Sequence, residues 1–128
     1  MHILLSRTDR IGDLILSTPA IATVRNSFPG ARITMVCSPY NRIVMERNSD
    51  VDEIVELTDG VRPATFGERF RGEVNLAIAL APRSTDLALV GATRAKVRVG
   101  YTYVRRYAAR MTAVSYTHLR AHETGRNL

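Results

Sequence analysis

The first 37 residues constrain the chain most. A short apolar run, His2 to Leu5, leads into a polar loop, Ser6 to Arg10, and from Ile11 to Phe28 apolar residues recur at helical spacing. Pro29-Gly30 stops that helix, and Ala31 to Cys37 is a second apolar run containing β-branched side chains. A helix between two strands returns the chain to the end from which the first strand started, so the two strands are expected to pair in parallel. Thr18-Pro19 falls inside the helical stretch. Proline removes a backbone donor, yet threonine followed by proline also makes a helix start, so a kink or restart that keeps the direction is expected there.

The alternation continues along the chain. Pro39 to Arg47 reads as a short helix, and Val51 to Leu57 as an edge-like strand, because apolar and acidic residues alternate in it. Thr58 to Pro63 is a turn-rich link and Ala64 to Arg71 is weakly helical. Asn75 to Leu80 is almost continuously apolar, the pattern of a strand covered on both faces. Ser84 to Ala92 is a helix that Ser84 can cap, and Lys96 to Tyr101 is a further strand. Strands and helices alternating at this pitch predict an α/β fold with a Rossmann-like, doubly wound, mainly parallel sheet. Ligands of such sheets collect beyond the carboxyl ends of the strands, which makes the loops Ser6 to Gly12 and Ala81 to Thr85 the candidate functional edge.

With 128 residues, 45% of them hydrophobic, the chain can bury one modest core, so one domain is expected. The formal charge is +6, carried by seventeen arginines and the single lysine Lys96. Guanidinium suits bidentate pairing with carboxylate or phosphate, but composition alone selects no partner, and nothing in it calls for nucleic acid. One cysteine, Cys37, rules out an internal disulfide and offers no second thiol to a metal. It reads as a half-buried strand residue rather than a nucleophile, compatible with a reducing cytoplasm. No apolar stretch approaches the roughly 18 residues that span a bilayer, and the start lacks a secretory pattern, while peripheral attachment would need only a surface patch. The glycine signatures of dinucleotide and nucleoside-triphosphate sites and any ligand cluster with zinc spacing are missing. From Ser115 the chain reads SYTHLRAHETGRNL, with neither period, and is expected to lie outside the core, giving a domain over residues 1–113 and a non-native tail over 114–128. His118 and His122 are four apart with Glu123 beside them, but no cysteine is near, and no metal site is expected.

Three segments resemble the glycosyltransferase family 9 of ADP-heptose:lipopolysaccharide heptosyltransferases. They are RTDRIGDLILSTPAIATVRNSFPGARITMV (Arg7 to Val36), NSDVDEIVEL (Asn48 to Leu57) and NLAIALAPRSTDLALVGATRAKVRVGY (Asn75 to Tyr101), so the resemblance runs from Met1 to about Arg110. It implies the N-terminal, acceptor-binding half of the two-domain GT-B arrangement. It further implies an inverting, metal-independent transfer without a cofactor, in which ADP-heptose is held mainly by a C-terminal domain beyond this chain. The chain alone is then not expected to turn over. The implied acceptor is the acidic lipopolysaccharide inner core, and the implied location is the cytoplasm, with peripheral association at the inner membrane. A non-catalytic α/β binding module and a family 9 enzyme using another nucleotide-sugar are the alternatives.

Residue chemistry alone says that Gly12 lets the loop turn tightly beside a ligand and that Asp13, at a helix start, faces backbone N–H groups that keep it ionised. On that ground Asp13 is either a helix cap or a base able to sit within about 3 Å of an acceptor hydroxyl. The resemblance selects the base, since the family's catalytic aspartate occupies this Gly-Asp position. It also makes Arg7, Thr8, Arg10 and Gly12 in the first loop, with Arg83 and Ser84 after the later strand, candidate acceptor-binding residues. Their arginines would pair with the acceptor's carboxylates or phosphates. Asp9 adds an acid to that loop.

Overall fold

The computed structural model describes residues 1–102 and 111–116. The chain runs β1 (His2–Ser6), α1 (Ile11–Leu16), α2 (Thr18–Ser27), β2 (Arg32–Cys37), a 3-10 turn (Arg42–Val44), β3 (Glu53–Glu56), α3 (Pro63–Glu68), β4 (Leu76–Ala79), α4 (Ser84–Ala92), β5 (Val97–Thr102) and β6 (Ala113–Tyr116). The strands form one sheet in the order β3-β2-β1-β4-β5-β6, and every neighbouring pair is parallel. Leu4 at the centre of β1 stands opposite Thr34 of β2 on one side and Ala77 of β4 on the other. The order runs outward from β1 to β3, then crosses to β4 and runs outward again. Loops leaving β1 and β4 therefore diverge, and a crevice opens at their carboxyl ends.

Period-two alternation divides the core between the two faces. Ile3 and Leu5 of β1 pack with Ile33, Met35 and Cys37 of β2 against Leu14 and Ile21 of α1 and α2. Leu4 and Val36 point the other way, with Phe66 of α3 and Leu87, Leu89 and Val90 of α4. Both faces are covered, which is why β1 and β4 read as unbroken apolar runs. Gly67 permits α3 to lie directly on α4. A Cβ there would stand 2.2 Å from the Leu89 carbonyl oxygen and 3.0 Å from the Ala92 Cβ.

Several expectations change in detail. The stretch from Ile11 to Phe28 is two helices, interrupted at Ser17. Pro19 has no N–H to offer the Ile15 carbonyl, and the Thr18 hydroxyl donates to that oxygen instead at 2.8 Å. The Ile21 amide resumes the ladder on the Ser17 carbonyl. Between Pro39 and Arg47 only the 3-10 turn forms. Asn41 precedes it without capping it: its side-chain oxygen accepts the Ser38 amide at 2.8 Å, and its own amide group is drawn away into the β1–α1 loop. The acidic alternation before Leu57 does mark an edge: β3 ends the sheet, and Glu53 meets Arg32 at 2.6 Å. Cys37 is fully rather than half buried, and its burial pushes the thiol up to about 12. β6 pairs with β5 from Val99↔Ala113 to Thr102↔Tyr116, across the boundary expected at 113/114. His118, His122 and Glu123 lie outside the described residues.

Candidate active site

An open cleft of about 800 Å3 lies over the carboxyl ends of the first four strands. The β1–α1 loop supplies Thr8, Asp9 and Arg10, and the first turn of α1 supplies Asp13; Ser38 and Tyr40 follow β2; Leu57 to Val61 follow β3; Arg83 and Thr85 follow β4. Parallel pairing brings these loops to one edge, although the outermost of them are more than seventy positions apart in the chain.

The β1–α1 loop is fastened from both sides by buried polar groups. Asn41, fully buried, donates through its side-chain amide to the carbonyls of Arg7 (3.1 Å) and Asp9 (3.0 Å). Asp86, on the first turn of α4 and also fully buried, accepts the hydroxyls of Ser6 (2.7 Å) and Thr8 (3.2 Å) on one carboxylate oxygen. Burial raises the Asp86 carboxyl above the usual carboxylate range, while the Ser6 bond and the Arg83 charge pull the other way. Both residues escape a reading of local motifs. Asp86 does leave a trace, since it lies three and four residues before Leu89 and Val90 and so occupies the apolar stripe of α4. Ser38 and Asn41, three apart before a turn, leave a weaker one.

Asp13 is the third residue of α1, on the rim of the cleft, with its side chain 42% exposed. It does not cap the helix: Arg10 holds the cap position and no side chain closes it. Among the described residues its ion-pair partner is Arg7, whose terminal nitrogen stands 3.9 Å from the Asp13 carboxylate. Arg7 itself is turned inward. Its guanidinium forks onto Asp9 at 2.9 and 3.1 Å, donates to the Ser17 hydroxyl at 3.1 Å and reaches the Leu80 carbonyl. Asp9, the acid that stood out in the loop sequence, is thus the partner that holds Arg7 inside. Thr8 lines the cleft but donates its hydroxyl to Asp86.

Arg10 and Arg83 are exposed on the cleft wall and form no ion pair among the described residues. Gly12 is the second residue of α1 rather than a tight turn, and a Cβ on it would meet nothing within 4 Å. Ser84 is the first residue of α4, not its cap; Arg83 takes that place with extended backbone (φ −88°, ψ 146°), and Thr85 rather than Ser84 lines the cleft. Tyr40 and Asp59, absent from the sequence candidates, join across the opposite wall by a hydroxyl–carboxylate bond of 3.1 Å. The cleft therefore presents an accessible carboxylate, two exposed guanidinium groups and several hydroxyls, a surface able to hydrogen-bond a polyhydroxylated ligand. Among the described residues no group of three or more His, Cys, Asp or Glu side chains is placed to hold a metal.

No protein-family model and no curated protein matches the sequence. Solved structures do. A family 9 glycosyl transferase from Veillonella parvula DSM 2008 is 25% identical, with a TM-score of 0.78 over 92% of this chain and 35% of its own. E. coli ADP-heptose LPS heptosyltransferase II gives 18% identity and a TM-score of 0.78 over 94% of this chain and 36% of its own. An E. coli heptosyltransferase with ADP gives 16% and 0.72 over 100% and 46%. The chain spans less than half the length of each. It has an α/β, Rossmann-like fold that matches, over nearly its whole length, part of the GT-B structure of family 9 glycosyltransferases and ADP-heptose heptosyltransferases.

Proposed function

We propose that this domain is the acceptor-binding part of an inverting, metal-independent glycosyltransferase that moves heptose from ADP-heptose to the lipopolysaccharide inner core, at the cytoplasmic face of the inner membrane. The observation that carries the reading is Asp13: a half-exposed carboxylate on the rim of a cleft over the strand ends, in a fold shared with a 25% identical family 9 enzyme. Inversion requires a base on the acceptor side while the nucleotide departs on the other. Asp13 takes the proton from the attacking hydroxyl, and Arg10 and Arg83 meet the acceptor's carboxylates or phosphates. Arg7, engaged with Asp9, Ser17 and Leu80, shapes the loop and does not reach the ligand. The donor half of the reaction belongs to residues with no counterpart here, since this chain spans 35% of that neighbour.

The test joins this domain to a donor-binding domain and compares Asp13→Ala with the parent. Transfer from ADP-heptose should fall by about 10²–10⁴ in kcat with acceptor KM little changed, the usual loss when a general base is removed. Normal transfer by Asp13→Ala would refute the assignment. The exposed Arg10 and Arg83 and the half-exposed Asp13 on the cleft also support a second reading, in which the chain by itself binds acceptor without transfer. Titration of the chain with inner-core oligosaccharide, read by NMR at Arg10, Asp13 and Arg83, checks it.

A further inference from the structure

The β1–α1 loop leads into the helix turn that carries Asp13 and supplies Thr8, Asp9 and Arg10 to the cleft wall, yet none of its residues is apolar, so it brings little hydrophobic packing of its own. Something outside it must fix its path. On the β2 side Asn41 grips two backbone carbonyls. On the β4 side the grip is on side chains: Oδ1 of Asp86 takes the hydroxyl of Ser6, the last residue of β1, and that of Thr8, two residues on. Alternate residues of an extended segment point the same way, so one carboxylate holds both, and Arg7 between them is thrown to the opposite side, where it meets Asp9, Ser17 and Asp13. Charged groups acting on Asp86 are Arg83, on the helix it starts, and Asp9 from the loop. A buried carboxyl group on an apolar helix stripe is costly for stability alone, and its placement 78 and 80 positions from its two partners ties α4 to the loop across the crevice.

We infer that Asp86 is a positioning residue: by holding the hydroxyls of Ser6 and Thr8 it sets the path of the β1–α1 loop and so the presentation of Asp13 to the cleft. Its action on transfer rests on the function proposed above; its action on the loop does not.

Hydrogen exchange on the chain itself tests the second part, using amides that the structure shows to be bonded. The Arg7 amide donates to Val36 and the Leu14 amide to Arg10, on either side of the loop, whereas the Asn75 amide donates to His2 at the opposite end of β1. Asp86→Ala should raise exchange at Arg7 and Leu14 at least tenfold more than at Asn75. Asp86→Asn, which keeps an acceptor oxygen, should restore most of the protection. Thr8→Val, which removes one hydroxyl with little change of shape, should reproduce part of the effect and serves if Asp86→Ala does not fold. Equal rises at all three amides, or no rise at Arg7 and Leu14, would overturn the inference. In the two-domain protein Asp86→Ala should lower kcat about tenfold while leaving donor KM unchanged, with Asp86→Asn restoring most of the rate and Thr8→Val losing part of it. If the loop loosens as expected but the parent shows no transfer, the proposed function fails and the positioning role stands.

Discussion

Gly67 and Gly12 are both helical glycines, and the structure predicts opposite outcomes for replacing them with alanine. At Gly67 a Cβ would lie 2.2 Å from the Leu89 carbonyl oxygen, with the Ala92 Cβ at 3.0 Å. Ordinary contact begins near 3.4 Å, so α3 and α4 would have to separate by about 1 Å, and the obstacle is backbone that cannot rotate aside. Overpacking of this kind costs about 1–3 kcal/mol, here toward the upper end, and alanine's better helix propensity returns at most about 1 kcal/mol. The net expectation is a loss of about 2 kcal/mol, or roughly 8 °C in Tm for a domain of this size. At Gly12 nothing lies within 4 Å of the added methyl, so only the propensity gain remains, and Gly12→Ala should stabilise by a few tenths of a kcal/mol up to about 1. Urea unfolding followed by far-UV circular dichroism measures both, with the slope m expected to stay constant. A midpoint for Gly67→Ala at or above that of the parent would show that the α3–α4 approach is not as close as described.

Two further outcomes follow from local geometry. Arg94, just beyond α4, has φ 55°, a left-handed conformation that costs an L-residue about 1–2 kcal/mol; Arg94→Gly should raise stability by about 0.5–1 kcal/mol once the greater freedom of the unfolded glycine is allowed for, and an unchanged or lower Tm would count against it. Cys37 has its thiol raised from 9.0 to about 12 by burial, so it should resist a thiol reagent in the native state and react once denatured. Because the folded value lies above the unfolded one, this group's contribution is complete below about pH 9 and is lost as pH climbs toward 12; Cys37→Ala should flatten that alkaline limb, and an identical limb would refute the linkage.

Much of the architecture is legible in the chain itself because it is written in periods. The apolar run from Ile3 to Leu5, the helical spacing after Ile11 and the stop at Pro29-Gly30 declare a strand, a helix and a second strand, and the acidic alternation before Leu57 marks an edge. These signals are local, since side-chain period depends only on backbone geometry over a few residues. The place of Asp13 in the first turn of a helix is also legible, through a Gly-Asp pair after the first loop, whereas its selection as a base comes from the family resemblance. What the side chains around it do was not. Arg7 looks in sequence like a loop cation offered to a ligand, and only the nearness of Asp9, Ser17 and Leu80 in space turns it inward. Asp86 and Asn41 hold the loop from two other elements, and no local pattern says that a carboxylate on α4 will meet two hydroxyls at the end of β1. Gly12 and Gly67 are alike in type and in helical setting, yet one faces open space and the other a carbonyl. Periodicity determines which elements form; the strand order and the packing of one layer on another decide which polar groups meet and which glycines are indispensable, because those contacts join residues that the chain keeps far apart.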